Sequence, residues 1–106
     1  MEVFGLKNCD TCRKAMKALP EATLVDVRKD GVPQALLKDA LEQFGDQLIN
    51  TRSTTWRGLD SAEREAPPLE LLAAHPALMK RPLIRAGGRL SLGWSPEIEA
   101  QVRFAV

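Results

Sequence analysis

Both cysteines of this chain fall in one short stretch, Gly5-Leu6-Lys7-Asn8-Cys9-Asp10-Thr11-Cys12-Arg13-Lys14-Ala15. The C-x-x-C spacing points to thiol chemistry. An apolar run, Val3-Phe4, precedes the stretch and a helical pattern follows it, so it reads as strand, loop and helix start. Cys9 precedes the first helical turn, where unpaired backbone N–H groups favour negative charge. A thiolate is stabilised there, and its lowered pKa makes it a nucleophile near neutral pH. Lys7 and Arg13 add positive charge; Asp10 opposes it unless it turns away to cap the helix. Cys12, Ala15, Met16 and Leu19 follow the i, i+3, i+4, i+7 rule of a buried helix face. Cys9 is therefore the expected exposed attacker, and Cys12 the sheltered thiol that can resolve a mixed disulfide.

Two plainer readings of the pair stand beside this one. A C-x-x-C can be half of a zinc site, but there is no second pair and the single histidine is His75. No metal is expected. The cysteines can also be inert core residues, although the position of Cys9 is loop-like and polar.

The elements that position the pair can be read along the chain. Residues 2–4 form a first strand, a helix follows over roughly 10–19, and Pro20 ends it. Thr23-Leu24-Val25-Asp26-Val27 is short and β-branched, a second strand. Two strands around one helix make a βαβ unit with parallel strands. Asp30-Gly31-Val32-Pro33 is a turn into a second helix marked by Leu36, Leu37, Ala40, Leu41 and Phe44, with Gly45 as C-cap. Leu48-Ile49 is too short to assign.

The segment Asn50-Thr51-Arg52-Ser53-Thr54-Thr55-Trp56-Arg57-Gly58-Leu59 mixes two arginines with several hydroxyls, all anion-friendly groups. Its plainer reading is a capped turn, with Ser53 or Thr54 capping a short helix and Trp56 filling the core. Ser61 opens another short helix, closed by Pro67-Pro68, and a further one runs up to His75-Pro76. His75 reads as a helix-end residue. Pro82 belongs at a strand start, because it cannot donate to a ladder. Ala86-Gly87-Gly88-Arg89 is a hairpin turn, Leu90-Ser91-Leu92 a fourth strand. Ser95-Pro96-Glu97 opens the last helix, anchored by Ile98, Val102 and Phe104. The order β-α-β-α, small helices, β-β-α gives a four-stranded mixed sheet in an α/β, thioredoxin-like arrangement.

The 106 residues suit one domain, 1–106, with a helical insertion at about 46–78. The 15 basic and 14 acidic side chains nearly cancel, which gives no reason to expect nucleic acid or an acidic membrane surface as partner. No apolar run approaches the ~20 residues of a membrane span. Glu2 and Lys7 interrupt the N-terminal apolar run, so it lacks a signal-peptide pattern. A cytoplasmic monomer is the expectation, and in that compartment a C-x-x-C is catalytic more often than structural.

Three motifs in order, the Gly5–Ala15 stretch, Thr51-Arg52-Ser53, and His75-Pro76-x-Leu78-x-x-Arg81-Pro82, resemble the ArsC/Spx family over essentially the whole chain. The Lys-Asn-Cys-Asp-Thr opening is most similar to its YffB-type branch of reductases. The resemblance implies a thioredoxin-like fold with a helical insertion and puts the family's nucleophilic cysteine at Cys9. In glutaredoxin-dependent arsenate reductases arginines hold the oxyanion; one maps onto Arg81 and a second onto Arg52. A third has no counterpart here near Gly93-Trp94-Ser95, and Arg89 in the hairpin is the nearest arginine. That departure favours another substrate over arsenate. Arg81-Pro82 matches the position where a thioredoxin-fold cis-proline faces the active cysteine and aims backbone at a bound thiol such as glutathione.

The expected function is a thiol-dependent reductase with no bound cofactor and glutathione as co-substrate. Cys9, Cys12 and Arg81 form its catalytic group. Lys7, Asn8, Arg52 and Pro82 bind a small anionic or thiol substrate, with glutaredoxin as a possible protein partner. Two alternatives accompany it: a redox-sensing regulator that binds RNA polymerase, as in the Spx branch, and an arsenate reductase.

Overall fold

In the computed structural model, which describes residues 1–105, the sheet has the order β2-β1-β3-β4. Its strands are β1 (Glu2–Gly5), β2 (Thr23–Asp26), β3 (Leu83–Ala86) and β4 (Arg89–Leu92). β1 runs parallel to β2, with Val3 opposite Leu24. It runs antiparallel to β3, with Phe4 opposite Leu83. β3 and β4 are a hairpin turned by Gly87 and Gly88, both at positive φ (57° and 76°), the conformation that favours glycine. The fold is the thioredoxin-like α/β arrangement expected from the element order.

The chain divides into two compact units. One comprises residues 1–30 and 81–106, the other Gly31–Lys80. In the first, helices α1 (Asp10–Ala18) and α6 (Pro96–Ala105) accompany the sheet. Alternation along the strands turns Val3, Ile84 and Ala86 to one face, where they form a core with Ala15 and Leu19 of α1 and Val102 of α6. Cys12 joins Ala15 and Leu19 as a buried residue of the α1 stripe, as its spacing requires. Ser95 Oγ accepts from the Ile98 N–H and caps α6. Phe104, expected to anchor α6, is instead 86% exposed. It follows Val102 by two residues, which turns it to the opposite face of the helix.

The second unit is helical. α2 (Gln34–Phe44) packs on α5 (Pro68–Ala74) through buried Leu36, Leu37, Ala40, Leu71 and Leu72. Gly45, at φ 60°, closes α2 as expected. The unassigned Leu48-Ile49 segment resolves into a 3-10 turn, Gly45–Leu48, and a single bridge between Ile49 and Met79. Ser53 caps α3 (Thr54–Arg57) by accepting from the Trp56 N–H. Trp56 does not fill a core. It is half-buried, with the Arg64 guanidinium 5.3 Å from its ring centroid. Ser61 opens α4 (Ser61–Arg64) as expected, and Asp60 caps it in a reciprocal capping box with Glu63. His75 is the C-cap of α5.

Candidate active site at the start of α1

Sheet topology brings the site together. β1 and β3 are antiparallel, so the C-terminal end of β1 lies beside the N-terminal end of β3. The cysteine loop leaves the first, and Arg81-Pro82 enters the second. The Arg81–Pro82 bond is cis, as the resemblance implied. Pro82 is buried, and its carbonyl accepts the Gly93 N–H at 2.8 Å, which fixes the start of β3 against the end of β4.

The loop is short and tied at both ends. The Cys9 N–H donates to the Leu6 carbonyl at 3.2 Å, closing a turn over Lys7 and Asn8, both exposed. The Cys9 carbonyl accepts from the Arg13 N–H at 2.9 Å, the first helical bond. Arg13 Nε reaches back to the Lys7 carbonyl at 2.9 Å and braces the turn against α1. Cys9 is thus the N-cap residue of α1, in extended conformation. Asp10 does not cap the helix. It is exposed and lies 3.9 Å from Arg13, a weak surface pair.

The two thiols sit in opposite electrostatic settings. Partial burial works against ionisation of Cys9, but the Cys12 backbone N–H, the Cys12 thiol and the Arg81 guanidinium together outweigh it and hold the pKa below the ordinary value. At Cys12 burial dominates. The Leu6 backbone favours the anion there, yet burial and the charge of Cys9 push the Cys12 pKa up to about 11. Near pH 7 a thiol with that pKa is ionised in only about one molecule in 10⁴. The pair is therefore split into a nucleophile and a hydrogen-bond donor to it. Both are free thiols in this structure.

Gly5 is a site residue that sequence reasoning left without a role. A Cβ at this position would overlap Cys12 Sγ. The bare backbone of β1 is what lets Cys12 lie against the strand and beneath Cys9. A glycine inside a strand pattern is a signal of such close approach.

Of the residues expected at the site, Cys9, Cys12, Arg81, Pro82, Lys7 and Asn8 all belong to the unit built on the sheet. Arg52 lies in the Gly31–Lys80 unit, exposed in the turn ahead of α3, where its N–H donates to Asn50 Oδ1. Among the described residues no group of three His, Cys, Asp or Glu side chains is placed to hold a metal ion. No helix among them is long and apolar enough to cross a membrane.

Comparison with known proteins agrees with this fold. The chain is 44% identical to an uncharacterized protein of Haemophilus influenzae, over 97% of each chain. It is 30% identical to the global transcriptional regulator Spx of Bacillus subtilis, over 90% of this chain and 80% of Spx. Among solved structures, a YffB protein matches with a TM-score of 0.85 at 30% identity, over 95% of this chain and 96% of that one. An arsenate reductase (ArsC) related protein of Brucella melitensis matches with a TM-score of 0.68 at 31% identity, over 99% and 94%. The ArsC family model spans residues 4–101, from β1 through the cysteine loop and the cis-proline into α6. The chain belongs to the ArsC family.

Proposed function

We propose that this protein is a cytoplasmic thiol-dependent reductase that uses glutathione as co-substrate. The observation that carries the reading is the opposite displacement of its two thiols, Cys9 towards the thiolate and Cys12 towards the thiol. A structural pair has no need of that asymmetry, whereas a nucleophile does.

In the first step the Cys9 thiolate attacks one sulfur of a disulfide R–S–S–R′. A Cys9–S–S–R bond forms, the S–S bond of the substrate breaks, and R′–S⁻ leaves with the electron pair. The Cys12 N–H and Arg81 stabilise the anion before attack. In the second step a glutathione thiolate attacks the Cys9 sulfur's partner, releases the Cys9 thiolate and becomes a mixed disulfide with R. A second glutathione yields R–SH and oxidised glutathione. The net change is reduction of one disulfide by two glutathione molecules. Cys12 offers a second route by attacking Cys9–S–S–R itself. Loss of the Cys9 charge in the mixed disulfide removes one of the effects that raise its pKa, but burial remains. The external thiol is therefore the faster route. Arg81 suits a glutathione carboxylate or another anionic group.

Incubation with oxidised glutathione followed by peptide mass spectrometry tests this. A glutathione adduct on Cys9, absent from Cys9→Ser, together with glutathione-dependent disulfide reduction, is expected. No adduct on Cys9 and no turnover would overturn it.

One observation favours a second reading, a regulator that binds RNA polymerase and responds to oxidation: the 30% identity to Spx over 90% of the chain. Oxidation-dependent capture of purified polymerase without any disulfide reductase activity would select it.

A further inference from the structure

Residues 6–9 join the end of β1 to the start of α1, and Cys9 is the last of them. A link outside sheet and helix takes its shape from the bonds that hold its carbonyls and N–H groups. Arg13 holds this one twice. Its backbone N–H donates to the Cys9 carbonyl at 2.9 Å, and its side-chain Nε donates to the Lys7 carbonyl, also at 2.9 Å. The first bond is ordinary helix geometry. The second reaches back across the loop and adds nothing to a core, because the Arg13 side chain is 65% exposed. It fixes the turn that the Cys9 N–H closes on the Leu6 carbonyl at 3.2 Å. A turn released at Lys7 is free to carry Cys9 off the head of α1 and away from the Cys12 N–H.

We propose that Arg13 is a positioning residue for the nucleophile: through the Lys7 carbonyl it holds the loop so that Cys9 stays at the head of α1, beside the Cys12 N–H. The role rests on Cys9 being the nucleophile of the reductase. Charge is a poorer account of Arg13 than position. The groups that favour the Cys9 anion are the Cys12 N–H, the Cys12 thiol and the Arg81 guanidinium. The charges on the neighbouring elements are mixed. Lys7 and Lys14 are exposed, and Asp10, 3.9 Å from Arg13, has its side chain 90% exposed. Asp26, at the end of β2, accepts from the Arg28 and Lys29 N–H groups. Water screens such exposed charges, whereas a bond to the loop backbone acts on its shape directly.

Two variants separate position from charge. Arg13→Gln loses the charge but places an amide N–H as far along the side chain as Nε. Arg13→Met loses both charge and donor. Each leaves Asp10 and Asp26 facing the same remaining charges, and each residue suits a helix. The rate of Cys9 alkylation is followed against pH in the full chain, with hydrogen exchange at the Cys9 amide as a second readout. In Arg13→Met the rate below the Cys9 titration should fall about fivefold, the scale of one net hydrogen bond. It should rejoin wild type where Cys9 is fully ionised, and the Cys9 amide should exchange faster. Arg13→Gln should match wild type within about twofold in both readouts. A loss in Arg13→Gln as large as in Arg13→Met would assign the effect to charge, and an Arg13→Met that behaves as wild type would leave the bond without a role. Either result overturns the proposal, while a lowered titration of Cys9 in wild type leaves the reductase reading standing. An ordinary thiol titration in wild type would overturn that reading and this role with it.

Discussion

Cys12 Sγ occupies the space that a side chain on Gly5 would need. The contact joins the end of β1 to the first turn of α1, and it fixes the buried thiol beneath the nucleophile. A Gly5→Ala substitution must push Cys12 or the strand aside. A loss of about 1–3 kcal/mol is expected, the usual scale of overpacking. Cys12→Ala removes the obstructing sulfur, so the double variant should be no less stable than Cys12→Ala alone. Urea unfolding of the three variants checks the coupling. Additive losses would show that the contact carries no energy.

Arg81 acts on Cys9 from the segment that leads into β3. Arg81→Met removes the guanidinium that favours the thiolate, so the Cys9 pKa should rise and its alkylation near pH 7 should slow several-fold. Arg81→Lys keeps the charge and should restore part of the rate. Titration of the iodoacetamide rate against pH separates this effect from a change in access, which would lower the rate equally at every pH.

Cys12→Ser keeps a hydrogen-bond donor and the backbone N–H beneath Cys9. Reductase activity with glutathione should therefore survive to within a few-fold, because the buried thiol with its pKa near 11 is the slower resolving group. Steady-state turnover at saturating glutathione measures this. A loss of a hundredfold or more would make Cys12 the obligatory resolving residue.

The two thiols also give stability opposite dependences on pH. Cys9 ionises more readily folded than unfolded, so its contribution is present above the ordinary thiol value and lost as pH falls through its lowered pKa. Cys12 holds its proton in the folded state up to about 11, so its contribution is full below 9.0 and lost as pH rises from 9.0 towards 11. Urea midpoints should therefore fall more steeply above pH 9 in wild type than in Cys12→Ala. Equal slopes would contradict the assignment.

Much of the fold was legible because its signals are local. The α1 stripe, the β-branched β2 and the two-glycine hairpin each follow from neighbours a few residues apart. The nucleophile was legible for the same reason, since a helix start follows from the residues just after Cys9. What was missed depends on contacts distant in sequence. The Arg85 carboxylate partner is Glu2 of the adjacent strand, and the Arg85 guanidinium lies 5.7 Å from the Phe4 ring centroid. Both follow from the β1–β3 register, which no local pattern specifies. Phe104 and Trp56 were assigned to cores on their size alone, although their helical positions turn them outward or leave them half-buried. Gly5 was visible in the motif, but its role needs the path of Cys12 across the strand.

The central claim is that the start of α1, with Arg81, favours the Cys9 thiolate. The most direct test is the rate of Cys9 alkylation as a function of pH, read at the modified peptide by mass spectrometry, with and without glutathione. The account predicts a single titration below the unperturbed ~8.5, no comparable modification of Cys12, and protection or a mixed disulfide at Cys9 when oxidised glutathione is present. A slow Cys9 that titrates at the ordinary thiol value and ignores glutathione would contradict it.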